Sequence, residues 1–217
     1  MKLNKNDLLL YLVTDRTWLK DQTLPEVVEL AIKNGVTFVQ LREKNLDYER
    51  FKELAIEIKK VTDQYQIPFV INDNIKIAME IDADGVHVGQ KDLAATRARE
   101  ILGEDKILGV SVNTVEQALE AEKAGADYLG VGAIFATDSK LDAISIGVEE
   151  VNKITKAVSI PAVGIGGINN KNIHLLKNSG LDGIAVISAI LAQRDVGKAT
   201  RNLYKLSKEV LSEGSNI

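Results

Sequence analysis

The residues best suited to chemistry stand in short polar clusters, each directly after an apolar run. Gln40-Leu41-Arg42-Glu43-Lys44 is the first. In an extended chain alternate side chains share a face, so Gln40, Arg42 and Lys44 converge. An amide, a planar guanidinium fork and an ammonium together suit a phosphate or pyrophosphate. The same run also reads as a solvated strand exit. Asn72-Asp73-Asn74 sets a carboxylate between two amides. That donor set suits Mg2+, a hard ion that takes oxygen ligands, and equally a turn or helix cap. Asp92, in Gly89-Gln90-Lys91-Asp92, offers a second carboxylate, or the N-cap of a helix beginning at Leu93. Ser111 has no obvious histidine base and reads as a hydrogen-bonding residue, not a nucleophile. The segment Phe135–Asp142 carries the hydroxyls of Thr137 and Ser139 and the ammonium of Lys140. It suits phosphate binding and a lid, with a polar surface loop as the plainer alternative.

The elements that must position these clusters are eight β-rich apolar runs. They lie at Leu8–Val13, Val36–Leu41, Phe69–Ile71, Gly85–Val88, Ile107–Val110, Tyr128–Val131, Ala162–Gly164 and Gly183–Ile187. Helical periodicity fills the stretches between, as with Leu54, Ile58, Val61 and Tyr65. Strands buried on both faces and alternating with helices imply βα units and a parallel sheet. Eight units in 217 residues fit a single (β/α)8 TIM barrel spanning the chain. A weak repeat agrees. Segments beginning at Thr37, Asp84, Asp127 and Asp182 resemble one another at spacings of 47, 43 and 55 residues, room for two βα units each. An open doubly wound sheet would place a glycine-rich nucleotide loop after the first strand, where Thr14-Asp15-Arg16-Thr17 stands instead.

In such a barrel the chemistry sits on the loops after the strands, and loops seven and eight usually hold phosphate. Gly164-Ile165-Gly166-Gly167-Ile168-Asn169 follows strand seven, where glycine lets the backbone approach a ligand closely and a helix start offers free N–H groups. Ser188 follows strand eight at another helix start. Two anion sites emerge. One uses Arg42, Lys44, Lys140 and a metal held by Asp73 and Asp92; the other uses backbone groups around Gly167 and Ser188. His87 lies in the middle of a strand and reads as filling the barrel, and His174 as a packing or surface residue of a helix.

Composition narrows the function classes. The chain has no cysteine, which excludes disulfides, thiolate nucleophiles and Cys-ligated zinc, and only two histidines. A formal charge of −4 argues against nucleic acid or an anionic membrane as partner. The apolar run after Met1-Lys2-Leu3-Asn4-Lys5-Asn6-Asp7 is too short and wrongly flanked for a signal peptide, so a cytoplasmic enzyme is expected. Whether copies associate into a homo-oligomer is left open by the sequence.

Taken together, the motifs resemble the thiamine-phosphate synthase family from Tyr11-Leu12-Val13-Thr14-Asp15-Arg16 to Ile187-Ser188-Ala189-Ile190. The most specific pieces are Gln40-Leu41-Arg42-Glu43-Lys44, Ile71-Asn72-Asp73, Gly85-Val86-His87-Val88-Gly89-Gln90-Lys91-Asp92 and Gly164-Ile165-Gly166-Gly167. The resemblance implies a transferase that joins a hydroxymethylpyrimidine diphosphate to a hydroxyethylthiazole phosphate, giving thiamine monophosphate and pyrophosphate. By the same resemblance, Gln40, Leu41, Arg42, Glu43, Lys44, Asn72, Ser111 and Lys140 would hold the pyrimidine diphosphate. Asp73 and Asp92 would hold Mg2+, and Thr137, Asp138, Ser139, Gly167, Ile187 and Ser188 the thiazole phosphate. The implied chemistry is a dissociative substitution, with Arg42, Lys44, Lys140 and Mg2+ stabilising the departing pyrophosphate. The family often has proline where this chain has Ala133 and threonine where it has Ser139. The rival readings are a thiazole tautomerase-like relative, a sugar-phosphate isomerase or epimerase, and a non-catalytic phosphometabolite sensor. The first wants an acid/base residue in loop six and the second an acid/base pair, neither of which the sequence supplies.

Overall fold

Runs of Val, Ile, Leu and Phe too short for a buried helix, with polar turns between them, favour strands covered on both faces. The computed structural model describes residues 3–19, 21–90, 94–136 and 145–211. In it the runs form β1 (Leu10–Val13), β2 (Phe38–Leu41), β3 (Phe69–Asn72), β4 (Gly85–Val88), β5 (Ile107–Val112), β6 (Tyr128–Val131), β7 (Ala162–Ile165) and β8 (Gly183–Val186). Each strand pairs in parallel with the next, and β8 with β1, closing a barrel. Following the pairings from Val13 through all eight strands returns to β1 eight residues earlier. That offset is the shear of a TIM barrel.

The helices are α1 (Leu24–Lys33), α2 (Tyr48–Tyr65), α3 (Ile75–Glu80), α4 (Ala95–Leu102), α5 (Val115–Lys123), α6 (Gly147–Ala157), α7 (Ser188–Leu191) and α8 (Val196–Leu211). Between β7 and β8 a short 3-10 helix, Ile173–Leu176, takes the place of a full α-helix. His174 lies on it, exposed. Local chemistry sets the helix starts. Thr23 and Glu26 form a capping box on α1, and the Asp47, Asn74 and Thr114 side chains cap α2, α3 and α5.

The sequence repeat has a mechanical meaning. Thr37, Asp84, Asp127 and Asp182 each immediately precede or nearly precede an even-numbered strand. Each gives its N–H to a carbonyl at the start of the preceding odd strand, on Leu10, Phe69, Leu108 and Ala162 respectively. Each side chain in turn accepts from the N–H of that same residue, at 2.7–3.0 Å. The repeat therefore ties four odd–even strand pairs together at the amino-terminal end, where these N–H groups would otherwise lack partners.

Alternation divides the core in two. Leu12, Val39, Leu41, Ile71, Val86, Val110, Leu129 and Val186 face outward and pack beneath the helices. Leu8, Tyr11, Val13, Phe38, Val70, Ile107, Tyr128, Val163 and Ala185 fill the barrel. Leu8 and Val36, read from the sequence as strand residues, precede the strands. Leu8 ends a 3-10 helix (Lys5–Leu8) and is fully buried against the barrel interior. Val36 is held by a turn after α1, its N–H on the Ala31 carbonyl.

Candidate active site

Gln40 stands on the inner face of β2 and is buried in the barrel. Its Nε2 donates to the Tyr11 hydroxyl at 2.5 Å. The exit of β2 is pinned by Thr14, whose N–H donates to the Gln40 carbonyl and whose Oγ1 accepts from the Arg42 N–H at 3.0 Å. Arg42 then sits at the rim beside Asp15, 3.9 Å from its carboxylate. Lys44 lies exposed in the bend beyond.

Two members of the segment take other parts. Leu41 points outward into the helix-facing core, so only its backbone faces the mouth. Glu43 is gripped by Arg16 through two bonds of 2.7 and 3.0 Å, its side chain 5% exposed. This paired geometry neutralises the carboxylate between Arg42 and Lys44, so Glu43 does not compete for either cation.

Asn72 ends β3, and its side-chain amide donates to the Asp73 carboxylate. Asp73 adopts a left-handed backbone, φ 62°, with its N–H on the His87 carbonyl; aspartate tolerates that region better than most residues. The cap of α3 falls to Asn74, which accepts from Ile77 N–H at 3.0 Å. The cap reading of Asn72-Asp73-Asn74 thus falls to Asn74. Helix α4 begins at Ala95, with Ala94 at its cap and no side-chain cap bond, later than the start at Leu93 read from the sequence. Asp92 itself lies outside the described residues. Among the described residues no group of three or more His, Asp or Glu gathers as a metal cluster.

Ser111 lies on the inner face of β5, and a histidine does stand beside it, contrary to the sequence reading: its Oγ is 2.8 Å from His87 Nε2, 24 residues away in the chain, while its carbonyl accepts from Gln90 Nε2 at 2.7 Å. His87 fills the barrel and reaches Tyr128 Oη with Nδ1 at 3.0 Å. Tyr128 Oη lies 2.8 Å from Tyr11 Oη. The sequence reading missed Tyr11 and Tyr128. The signal that could have found them is inward parity together with glycines on neighbouring strands, which leave room for large side chains.

β7 pairs with β8 as far as Ile165 and Ala185, so Gly167 and Ile187, two residues further along each, leave adjacent strands at the same height. Ile187 packs on the barrel-filling cluster, and Ser188 opens α7. Gly166 and Gly167 have φ of 97° and 67°. A Cβ at Gly167 would stand 2.4 Å from the Ala136 carbonyl oxygen, so only glycine fits. The Asn169 and Asn172 amides both donate to the Gly167 carbonyl, at 3.0 and 2.9 Å, and fix that peptide.

Loop six is anchored against the same turn. Ile134 and Phe135 donate to the Ile165 and Gly166 carbonyls, while Ile146 returns to Ala133 and the Ser145 hydroxyl to Ile134. The Gly132–Ala133 peptide is cis. Thr137, Asp138, Ser139 and Lys140 lie outside the described residues.

A closed parallel barrel with polar side chains inward of its carboxyl-terminal rim and a glycine turn beside the exits of strands six and eight is a (β/α)8-barrel enzyme. The family model for thiamine monophosphate synthase matches residues 10–190. Thiamine-phosphate synthase of Clostridium tetani is 57% identical over 201 residues, covering 92% of this chain and 96% of that one. The Ruminiclostridium cellulolyticum protein of the same name is 52% identical over 203 residues, 94% of this chain and 97% of that one. A solved structure of thiamine phosphate pyrophosphorylase from Pyrococcus furiosus superposes with a TM-score of 0.88 at 42% identity, covering 95% of this chain and 98% of that one. The chain belongs to the thiamine-monophosphate synthase family. No helix among its described residues is long and apolar enough to cross a membrane.

Proposed function

We propose that this chain joins 4-amino-2-methyl-5-hydroxymethylpyrimidine diphosphate to 4-methyl-5-(2-hydroxyethyl)thiazole phosphate, releasing pyrophosphate and thiamine monophosphate. The observation that carries the reading is the placement of Gln40 inward, Arg42 at the rim, and the Asn72–Asp73 pair on the adjoining strand exit. The Gly166–Gly167 turn, set against the base of loop six, supports a separate place for the second phosphate.

Gln40 and Ser111 would orient the pyrimidine, with Asn72 beside it. Arg42, Lys44 and Lys140 would meet the diphosphate; Leu41 would contribute backbone alone, and Glu43 would act through Arg16. As the methylene C–O bond breaks, its electron pair leaves with pyrophosphate, and these cations stabilise the growing charge more than they stabilise the ground state. The aminopyrimidine ring delocalises the methylene cation. The thiazole nitrogen then donates its lone pair to form the new C–N bond, so no general base is required. Gly167, Ile187 and Ser188, with Thr137, Asp138 and Ser139, would hold the thiazole phosphate so that its ring nitrogen faces the methylene carbon.

Asp73 fits one side of a divalent-cation site. Its carboxylate is held by the Asn72 amide N–H at a strand end, and carboxylate oxygen is the kind of ligand Mg2+ takes. Asp73 and Asp92 would hold the ion, which would neutralise charge on the diphosphate. The test is pyrophosphate release with the pyrimidine diphosphate and Mg2+, with and without the thiazole phosphate. Release that needs both substrates, yields thiamine phosphate and stops on chelation supports the reading. A folded protein that binds both substrates without release overturns it.

A further inference from the structure

Five polar groups run in single file through the interior of the barrel. Gln40 Nε2 meets Tyr11 Oη at 2.5 Å, Tyr11 Oη meets Tyr128 Oη at 2.8 Å, Tyr128 Oη meets His87 Nδ1 at 3.0 Å, and His87 Nε2 meets Ser111 Oγ at 2.8 Å. All but Ser111 are buried. The two ends of the file, Gln40 and Ser111, belong to the proposed pyrimidine site. The three middle members have no part in the mechanism above.

The proton count along this file leaves little freedom. A hydroxyl carries one hydrogen, and a neutral imidazole donates from one nitrogen and accepts at the other. Gln40 Nε2 donates, so Tyr11 Oη accepts and must pass its own hydrogen to Tyr128. Tyr128 then passes its hydrogen to His87 Nδ1, which leaves the imidazole proton on Nε2, facing Ser111 Oγ. Ser111 receives a hydrogen and has its own O–H left to give. Gln40, its nitrogen engaged, turns its carbonyl oxygen away from Tyr11. Burial lifts both tyrosine hydroxyls above their ordinary range, so each keeps the hydrogen it must pass on.

We infer that Tyr11, Tyr128 and His87 are positioning residues forming a one-way hydrogen-bond relay, which couples Gln40 to Ser111 and holds one as acceptor and the other as donor toward the pyrimidine ring. The inference rests on the proposed substrate. A 4-aminopyrimidine offers an amino donor to Gln40 and a ring-nitrogen acceptor to Ser111; a 4-oxopyrimidine turns the amino donor into an acceptor and meets like against like. Room for the relay comes from glycines on the inner face. A Cβ at Gly109 would lie 2.4 Å from Tyr128 Oη and 2.5 Å from His87 Nδ1, and one at Gly130 would lie 3.0 Å from His87 Cε1.

The test reads the tautomer of His87 directly by 15N NMR of the imidazole, in a protein carrying His174→Gln so that one histidine remains. The relay requires the Nε2–H form in the otherwise unaltered chain; the Nδ1–H form overturns it. Gln40→Glu, read at a pH where 13C NMR shows its carboxyl ionised, supplies a group that only accepts, so every bond in the file must reverse and His87 must become Nδ1–H. A tautomer that ignores this substitution, which lies two tyrosines away, also overturns the relay. So does a reversal that survives when Tyr128→Phe is added to Gln40→Glu, because the file is then broken. Tyr128→Phe alone keeps the ring but cuts the file. It is expected to raise KM for the pyrimidine diphosphate about tenfold and to erode the preference for 4-amino over 4-oxo substrate by a similar factor, the scale of one hydrogen bond, with KM for the thiazole phosphate unmoved. Tautomer reversal in the variant, with a parent protein that makes no thiamine phosphate, would support the hydrogen-bond file and overturn both the synthase reading and the relay's role toward a pyrimidine.

Discussion

Gly109→Ala puts the packing of the barrel interior to a quantitative test. The added methyl would sit 2.2 Å from Tyr128 Cζ, whereas carbon atoms pack at about 3.5–4.0 Å. Tyr128 is fully buried and held by bonds to Tyr11 and His87, so the ring cannot retreat by more than an ångström without breaking one or both. Overpacking of this kind costs about 1–3 kcal/mol, and each buried partner left without its bond about 1–3 kcal/mol more. With one such bond lost the sum is roughly 2–6 kcal/mol, a large share of the ~5–15 kcal/mol that holds a typical domain together. At about 2–4 °C per kcal/mol for a chain of this size, the melting temperature should fall by roughly 4–24 °C. Gly130→Ala is the internal control. Its methyl would lie 3.0 Å from His87 Cε1, and a shift of a few tenths of an ångström relieves the contact, so about 1 kcal/mol is expected. Urea unfolding of both variants, with slopes unchanged from the parent, gives the two numbers. Equal losses for the two glycines, or a Gly109→Ala midpoint at the parent value, would refute the argument.

Three further outcomes follow from the site and its surroundings. Arg42→Ala should lower kcat by about 10²–10³, the loss seen on removing one preorganised donor to a developing negative charge, and unchanged turnover would remove Arg42 from the mechanism. Asp73→Asn should raise the Mg2+ concentration for half-maximal pyrophosphate release about tenfold or more, and an unmoved Mg2+ titration would place the ion elsewhere. Glu122 on α5 accepts from the Ser159 hydroxyl and N–H and from Ile160 N–H, which lowers its pKa below the ordinary glutamate value. Its contribution is therefore present in full above that value and is lost as pH falls through the lowered one. The urea midpoints of the parent and Glu122→Gln should differ at pH 7 and converge toward pH 3; a gap independent of pH would contradict this.

The strand ends were legible because both constraints on them are local. A run such as Phe69-Val70-Ile71 is apolar over its whole length, and the polar residue that stops it marks the mouth. The boundary errors at Leu8 and Val36 have one cause: apolarity reports burial, and both residues are buried outside a strand. The alternation that brings Gln40 inward was readable. That Leu41 belongs to the outer core follows from the same alternation. What the sequence hid is pairing over distance. Arg16 and Glu43 are 27 residues apart, and Tyr11 and Tyr128 are 117 apart. No period in the chain relates such partners; only closure of the barrel brings them together.

Closure also explains why the chemistry falls where it does. On β2 the inner apolar residue, Phe38, precedes the inner polar one, Gln40, by a single pleat; Val70 stands in the same relation to Asn72 on β3. On β5 Ile107 is followed inward by Gly109 and then Ser111. The interior therefore grows more polar from the amino-terminal end, plugged by Leu8, toward the carboxyl-terminal mouth. Because the strands are parallel, β2, β3 and β5 contribute to this gradient in the same direction. An antiparallel barrel with the same strand sequences would send half of these polar groups to the opposite end. The parallel order is what lets Gln40, Asn72, His87 and Ser111, from four strands, lie within one mouth while the apolar plug behind them carries the packing.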